Sequence, residues 1–175
     1  MVILSAQDSD ANINKISKLF FEKYPNIAIL SKATSSEIST YINTVENHQN
    51  KSNWLFETAN MIKSDKNIPT NLISLIKLKG VGRKSANVIL RETNKKAEGI
   101  MVDLHVIRVV QRIGLTPELK DGNKVEKLLM QQLPYKIWSD IGMAFSFLGR
   151  EICRPTAPKC YLCPINIHCN SFNKL

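Results

Sequence analysis

Apolar residues recur at helical spacing in the first part of the chain. The segment ANINKISKLFFEKY places Ile13 and Ile16 on one helical face, and the segment TSSEISTYINTV continues an apolar face as far as position 45. The second segment opens with Thr34 and Glu37, three residues apart, which is the pattern of a capping box. A third apolar segment, Trp54 to Ile62, predicts another helix.

The same periodicity continues to the end of the chain. Five further helices are predicted, over residues 69–78, 83–92, 104–113, 123–133 and 135–148. Asp103 stands where an N-cap is needed and Gly114 where a helix is commonly terminated. We find no convincing strand pair, no repeat and no low-complexity linker. The sequence therefore predicts an all-α protein.

The composition of the 175 residues suits a packed, basic protein. The length is enough for one large domain or two small domains that share a core, and hydrophobic residues, at 43% of the chain, are enough for a packed interior. Lys and Arg number 24 against 15 Asp and Glu, and the resulting formal charge of +9 suits a polyanionic partner. The N-terminus lacks the basic region of a signal peptide, and no apolar run reaches membrane-spanning length. We therefore expect a soluble, intracellular protein that does not bind a membrane.

All the cysteines lie in one short segment near the C-terminus. They have the spacing C-x6-C-x2-C-x5-C and are Cys153, Cys160, Cys163 and Cys169. In a reducing compartment such a cluster favours a metal site over disulfides. Four thiolates bind either zinc or a [4Fe–4S] cluster, and the residue types alone do not choose between them.

The segment LKGVGRKSANVIL contains a Gly-x-Gly turn directly before two cations, Arg83 and Lys84. A phosphate-binding P-loop has a different spacing, and a dinucleotide fingerprint needs a preceding strand and a third glycine. Two interpretations remain, a plain helix corner or a turn that binds a polymer's phosphate backbone. The second is favoured because glycines let backbone N–H groups approach an anion, and a helix N-terminus attracts phosphate.

Three segments of the chain resemble the endonuclease III family of DNA glycosylases, and their order and spacing along the chain agree with that family. The segment LKGVGRKSANVIL looks like its helix–hairpin–helix, MVDLHVIRVVQRIGL like its Val-Asp-Thr-His segment, and ILSAQDSD like its Leu-Ser-Ala-Gln-x-x-Asp stretch. The cysteine spacing is that family's [4Fe–4S] signature. The resemblance runs from Ile3 to Cys169 and implies the helix–hairpin–helix DNA glycosylase fold. It implies a helical barrel module at 1–112, with the hairpin at about 70–93, and a helical module at 113–175 whose loop at 153–169 binds the cluster.

The resemblance also implies a function in base-excision DNA repair. The expected enzyme is a monomeric, bifunctional DNA glycosylase that removes damaged bases, with oxidised pyrimidines as the substrate class, and cleaves abasic sites. Its partner is duplex DNA with a damaged base or an abasic site, lying in the cleft between the modules. The residues expected to contact DNA are Gln7, Lys79, Gly80, Val81, Gly82, Arg83 and His105.

Lys84 and Asp103 are the expected catalytic residues, and we expect them opposite each other at the mouth of that cleft. We expect Lys84 to be partly buried in the first turn of a helix, where the macrodipole favours the uncharged, nucleophilic amine. By the resemblance it attacks C1′ and forms a Schiff base, whereas by its residue type alone it is an ordinary phosphate-contacting lysine. Asp103 caps its helix and, by the resemblance, stabilises positive charge on the sugar. On that helix His105, Arg108 and Arg112 form one stripe, for which phosphate contact and plain solvation are equally good interpretations.

The chain also departs from the family pattern. Family members carry a leading segment and an apolar helix before the Leu-Ser-Ala-Gln stretch, which here stands at the start, so either the start is wrongly assigned or a smaller core is sealed in another way. The family's wedge loop aligns with ENHQNKS, residues 46–52, in which Asn47 replaces the apolar wedge. Two alternatives follow, a mismatch glycosylase acting on uracil or thymine opposite guanine, and a non-catalytic iron–sulfur DNA-binding protein. The presence of both Lys84 and Asp103 favours an enzyme.

Overall fold

A computed structural model describes residues 1–172, and all regular structure in that part of the chain is helical. The helices are α1 Val2–Ser5, α2 Asp10–Lys23, α3 Ile27–Leu30, α4 Ser35–Tyr41, α5 His48–Ile62, α6 Leu72–Leu75, α7 Arg83–Glu92, α8 Leu104–Ile113, α9 Gly122–Gln132 and α10 Trp138–Glu151. Short 3-10 turns occupy Asp65–Asn67, Tyr135–Ile137, Cys160–Leu162 and Asn166–His168. None of the described helices has the length and apolar character that crossing a membrane requires. The predicted all-α class is confirmed.

Side-chain caps fix the starts of three helices. The Ser9 side chain accepts from the backbone of Asn12 at the start of α2, and Thr34 and Glu37 form both hydrogen bonds of a capping box at α4. Asp103 caps α8, which ends at Gly114 with φ +90°. Each cap satisfies backbone N–H groups that have no partner inside the helix.

Several helix boundaries differ from the prediction: α6 is shorter than predicted at both ends, α10 is displaced by three residues towards the C-terminus, and α4 and α5 also differ. Helix α4 ends at Tyr41, although the buried Ile42 and Val45 continue the apolar pattern as non-helical residues. Helix α5 begins at His48, six residues before the predicted Trp54. Its first turns are almost entirely polar, so apolar periodicity gives no signal there. Most of the predicted wedge loop, residues 48–52, is therefore helical.

The chain folds into two compact units, Met1–Ala86 and Asn87–Leu175, and α7 runs through the boundary. The predicted modules, 1–112 and 113–175, stay a prediction, and residues 173–175 of the second module lie outside the described residues. The core of the first unit contains fully buried side chains from α1, α4, α6 and the segment after α4. They include Leu4, Ile38, Leu75 and Ile42.

The core of the second unit is built around α8. Its valines Val106, Val109 and Val110 are buried with residues of α9 and α10. Helix α10 packs closely against the segment before α8 because it has a glycine where it contacts that backbone. A Cβ added at Gly142 would lie 2.3 Å from the carbonyl oxygen of Met101. This close approach fixes the segment that leads into Asp103.

Candidate active site and cysteine loop

The glycine turn connects α6 to α7 and depends on two different glycines. Gly80 has φ +74°, and a Cβ at this position would lie 2.8 Å from Cε3 of Trp54. Gly82 is exposed, has no positive φ and has open space at its Cβ position. Gly80 is therefore required by the fold, whereas Gly82 leaves the backbone before α7 accessible to a ligand.

A groove in the first unit collects most of the residues predicted to contact DNA. It encloses about 1110 Å³ of space free of protein atoms, its open side included. Five of the seven predicted contact residues line it, namely Gln7, Lys79, Gly80, Val81 and Gly82. Asn47, Lys51 and Trp54 complete one wall. The fold therefore brings the Leu-Ser-Ala-Gln stretch, the start of α5 and the glycine turn to one surface.

Lys51 is a buried residue of the groove wall, and the sequence analysis did not predict this role. Its side chain is only 2% exposed, and its Nζ donates to the carbonyl oxygens of Leu4, at 2.9 Å, and Ala6. Burial lowers the pKa of Lys51, and the nearby carboxylates of Asp8 and Glu46 oppose that shift. A lone lysine among polar residues carries no sequence signal for burial, because such lysines are nearly always solvated.

Asp8 connects two turns at the edge of the groove, one at Gln7 and one at Asn47. Its carboxylate accepts from Asn12 Nδ2 at 3.0 Å, from the backbone N of Ser9 at 2.7 Å and from that of Glu46 at 2.8 Å. These hydrogen bonds lower the pKa of Asp8, with the Asn12 bond as the largest cause. The neighbouring Gln7 and Asn47 both have left-handed backbone conformations, with φ of 59° and 56°. Asp8 therefore fixes both turns from which these two carboxamides extend.

Lys84 is the second residue of α7 and is exposed, so the predicted partial burial is wrong. The buried face of α7 is formed by Ala86, Asn87 and Leu90. At about 100° per residue, Lys84 lies roughly half a turn around the helix from Ala86. Its amine is therefore accessible to solvent. The predicted placement of Lys84 opposite Asp103 in a cleft stays a prediction.

Asp103 is held in place by both of its carboxylate oxygens. Oδ1 accepts from the backbone N of Val106 at 2.8 Å, and Oδ2 accepts from the hydroxyl of Ser146 at 2.7 Å. The preceding segment is fixed as well, because the buried Glu126 carboxylate accepts from the backbone N of Ile100 at 3.1 Å and from Asn87 Nδ2 at 2.9 Å. The side chain is half-buried. The predicted capping role of Asp103 is confirmed, and the hydrogen bond from Ser146 is a feature that the sequence analysis missed.

The arginines of α8 contact the cysteine loop, so plain solvation of these two side chains is wrong, whereas phosphate contact by the stripe stays a prediction. Arg108 donates from Nε to the carbonyl of Cys153 at 2.9 Å and from Nη2 to that of Gly149 at 2.8 Å. Arg112 donates from Nη1 to the carbonyl of Arg154 at 2.6 Å and from Nη2 to that of Pro155 at 3.1 Å. Arginines at i and i+4 on one helix face thus satisfy three carbonyls of the loop and one near the end of α10.

His105 lies half-buried beside these arginines. Its Nδ1 is 3.2 Å from Nη2 of Arg108. A guanidinium only donates, so Nδ1 accepts, and the proton of the neutral ring lies on Nε2. The predicted DNA contact of His105 stays a prediction.

The four cysteines line one cavity in the second unit. It encloses about 370 Å³ of space free of protein atoms, and its other walls include Val109, Leu148 and Phe172. Nη1 of Arg112 lies 3.5 Å from Sγ of Cys153. Among the described residues, no three His, Cys, Asp or Glu side chains converge on one point as ligands of a single ion do. Four thiolates arranged around a cavity match a [4Fe–4S] cluster, in which each binds a different iron, better than they match a tetrahedral zinc ion.

Comparison with known proteins decides the family. Residues 1–135 match the HhH-GPD superfamily of base excision DNA repair proteins. Endonuclease III of Bacillus subtilis is 33% identical over 175 residues, which cover 99% of this chain and 80% of the relative. Endonuclease III of Synechocystis sp. is 32% identical over 171 residues, covering 97% of this chain and 78% of the relative. The chain belongs to the endonuclease III family.

Solved structures agree with this assignment. A trapped endonuclease III–DNA covalent intermediate, an estranged-adenine complex, has 34% sequence identity and a TM-score of 0.88, and the match covers 99% of this chain and 82% of that one. A thermostable thymine-DNA glycosylase has 24% identity and a TM-score of 0.84, with 99% and 82% covered, and shares the fold. The predicted helix–hairpin–helix glycosylase fold is confirmed. The predicted function is confirmed too: this endonuclease III family member is a DNA glycosylase and abasic-site lyase of base-excision repair.

Proposed function

We propose that this enzyme removes oxidised pyrimidines from duplex DNA and cleaves the abasic site through Lys84. What supports the proposal most is the position of Lys84, which is exposed in the first turn of α7, directly after the glycine turn that lines the groove. Phosphates bound at that turn would bring a nucleotide's sugar near the amine. Relatives of this family come from bacteria, and we place the enzyme in the cytoplasm, beside the chromosome.

The covalent steps need no reactant other than water. The uncharged amine of Lys84 attacks C1′, the glycosidic bond breaks, and the base leaves with the bonding electron pair and a proton. The C1′–O4′ bond then breaks, O4′ takes up a proton, and a protonated Schiff base forms between C1′ and Nζ. Loss of a proton from C2′ expels the 3′ phosphate by β-elimination, and water later hydrolyses the Schiff base to release the enzyme. The damaged nucleotide must first be rotated out of the duplex.

Asp103 is the group that would stabilise the sugar as positive charge develops on it. Its two oxygens are already hydrogen-bonded, so the carboxylate needs no rearrangement when the charge appears. An aspartate that serves as a helix cap is well suited to this role because the cap fixes its position. In this proposal the same carboxylate would accept the proton that Lys84 must lose.

The cysteine loop is proposed to bind a [4Fe–4S] cluster through Cys153, Cys160, Cys163 and Cys169. The cluster would supply a rigid, covalently bound centre for a loop that contains only short 3-10 turns of its own. Arg108 and Arg112 connect that loop to α8. The exposed Arg154 and half-buried Lys159 lie in the same loop and would approach the phosphate backbone.

The experiment that tests the proposal compares defined lesions in otherwise identical duplexes. Duplexes with one oxidised pyrimidine, one uracil or thymine opposite guanine, or no lesion are incubated with cluster-loaded enzyme. We expect base release and strand cleavage at the oxidised pyrimidine, and far slower reaction at the mismatches. Equal or faster cleavage at the mismatches would contradict the proposed substrate class, and binding without any base release would contradict the proposed catalysis.

A further inference from the structure

We infer that Ser146 is a positioning residue for the reaction, acting by holding the Asp103 carboxylate in its reactive orientation. The inference rests on the proposed function of Asp103. The observation behind the inference is a 2.7 Å hydrogen bond from the Ser146 hydroxyl to Oδ2 of Asp103, which connects α10 to the start of α8. The two residues are 43 positions apart in the chain.

Ser146 faces Asp103 because α10 presents a stripe of small residues to this segment. Gly142, Ser146 and Gly149 lie at i, i+4 and i+7, which is one face of a helix. A Cβ at Gly142 would meet the carbonyl of Met101 at 2.3 Å, and a Cβ at Gly149 would meet Cβ of His105 at 2.8 Å. The two glycines therefore bring the α10 backbone close on both sides of Asp103, and Ser146 lies between them.

The hydroxyl has little freedom to do anything else. Ser146 is only 1% exposed, and a buried hydroxyl that lacks a partner is costly. Its hydrogen bond to Oδ2 complements the bond from the backbone N of Val106 to Oδ1. Rotation of the carboxylate about its Cβ–Cγ bond would break one or both bonds. Two separate structural elements thus fix the plane of one carboxylate.

A fixed carboxylate matters most in the transition state. Electrostatic stabilisation is effective when the charged group is already oriented toward the developing charge. Without the hydroxyl, Asp103 would keep its cap to Val106 but would be free to turn its second oxygen. The loss should therefore appear in the rate of the chemical step and leave DNA affinity nearly unchanged.

The test compares Ser146→Ala with Ser146→Thr, which keeps the hydroxyl, and with Ser139→Ala, which removes a half-buried hydroxyl two turns earlier on α10. Single-turnover base excision is measured at saturating, cluster-loaded enzyme, with the Kd for a duplex that carries an uncleavable abasic-site analogue. We expect S146A to be about tenfold slower, in line with a charged hydrogen bond. We expect its Kd to stay within about twofold, since binding does not use this bond. S139A should match the wild type, and S146T should recover most of the rate.

An Asp103→Asn background separates this inference from the proposed function. If Ser146 acts through Asp103, adding S146A to D103N should cause little further loss. Equal rates for S146A and the wild type would overturn the inference, and so would a tenfold loss that persists in the D103N background. If D103N excises bases as fast as the wild type, or the wild type excises none, the proposed function fails, whatever Ser146 does. Thermal unfolding of each variant confirms that the compared proteins are folded.

Discussion

Nη1 of Arg112 donates a 2.6 Å hydrogen bond to the backbone carbonyl of Arg154, 42 residues further along the chain. The same guanidinium donates to the carbonyl of Pro155 and lies beside Sγ of Cys153. One side chain of α8 thus fixes the start of the cysteine loop. A planar guanidinium can satisfy several acceptors at once, which a lysine ammonium cannot reproduce in the same geometry.

Replacing Arg112 with lysine should weaken cluster binding. The variant keeps the positive charge and loses the forked geometry, so we expect a lower iron and sulfide content per chain and faster loss of the cluster's visible absorbance on exposure to air. Arg154→Lys is the matched control, because the side chain of Arg154 is exposed. Full and equally stable iron loading in R112K would show that the hydrogen bonds of Arg112 do not support the loop.

The arginines also show which features of the site can be predicted from the sequence and which cannot. Motif spacing identified the glycine turn, Asp103 as a cap and the cysteine segment, because each depends on neighbouring residues. The roles of Arg112, Lys51 and Ser146 depend on partners 41 or more positions away. Periodicity and composition contain no information about such pairs. The burial predicted for Lys84 failed for a related reason, since it depended on which face of α7 the fold covers.

The two glycines of the turn should respond differently to alanine. Gly80→Ala places a Cβ at positive φ and against the ring of Trp54. The backbone strain costs about 1–2 kcal/mol and the overpacking about 1–3 kcal/mol, so a large loss of unfolding free energy is expected in urea titrations. Gly82→Ala has open space and should unfold like the wild type, yet bind duplex DNA more weakly because the methyl group obstructs the backbone. Equal stability of G80A and G82A would contradict this division of roles.

Lys79 should contribute to DNA affinity without selecting a lesion. It is exposed in the groove, where a cation contacts phosphate without reading a base. Lys79→Ala should weaken binding to damaged and undamaged duplexes alike and reduce the salt slope of the binding constant by about 1. Lys66→Ala, an exposed lysine in the Asp65–Asn67 turn, should leave the slope unchanged. An unaltered slope in K79A would show that the groove does not bind the DNA backbone.

The buried Lys51 predicts a specific pH dependence of stability. Its folded-state pKa lies below the ordinary value of 10.5, so between the two values the unfolded chain binds more protons and stability rises with pH. Lys51→Met lacks this titration and also leaves the carbonyls of Leu4 and Ala6 without their donor. K51M should therefore be less stable at neutral pH. The stability of the wild type relative to K51M should then increase as the pH rises toward 10.5. A relative stability that falls over this range, measured by urea unfolding, would contradict the assigned environment of Lys51.

Borohydride trapping on a duplex with one abasic site tests the central claim most directly. The reagent reduces a Schiff base to a stable covalent adduct, so it reports the nucleophile itself. We predict an adduct with cluster-loaded wild type and none with Lys84→Gln, while Lys79→Ala, a neighbouring lysine of the same turn, still traps at saturating protein. An adduct of equal yield from K84Q would contradict the account, because another amine would then be the nucleophile.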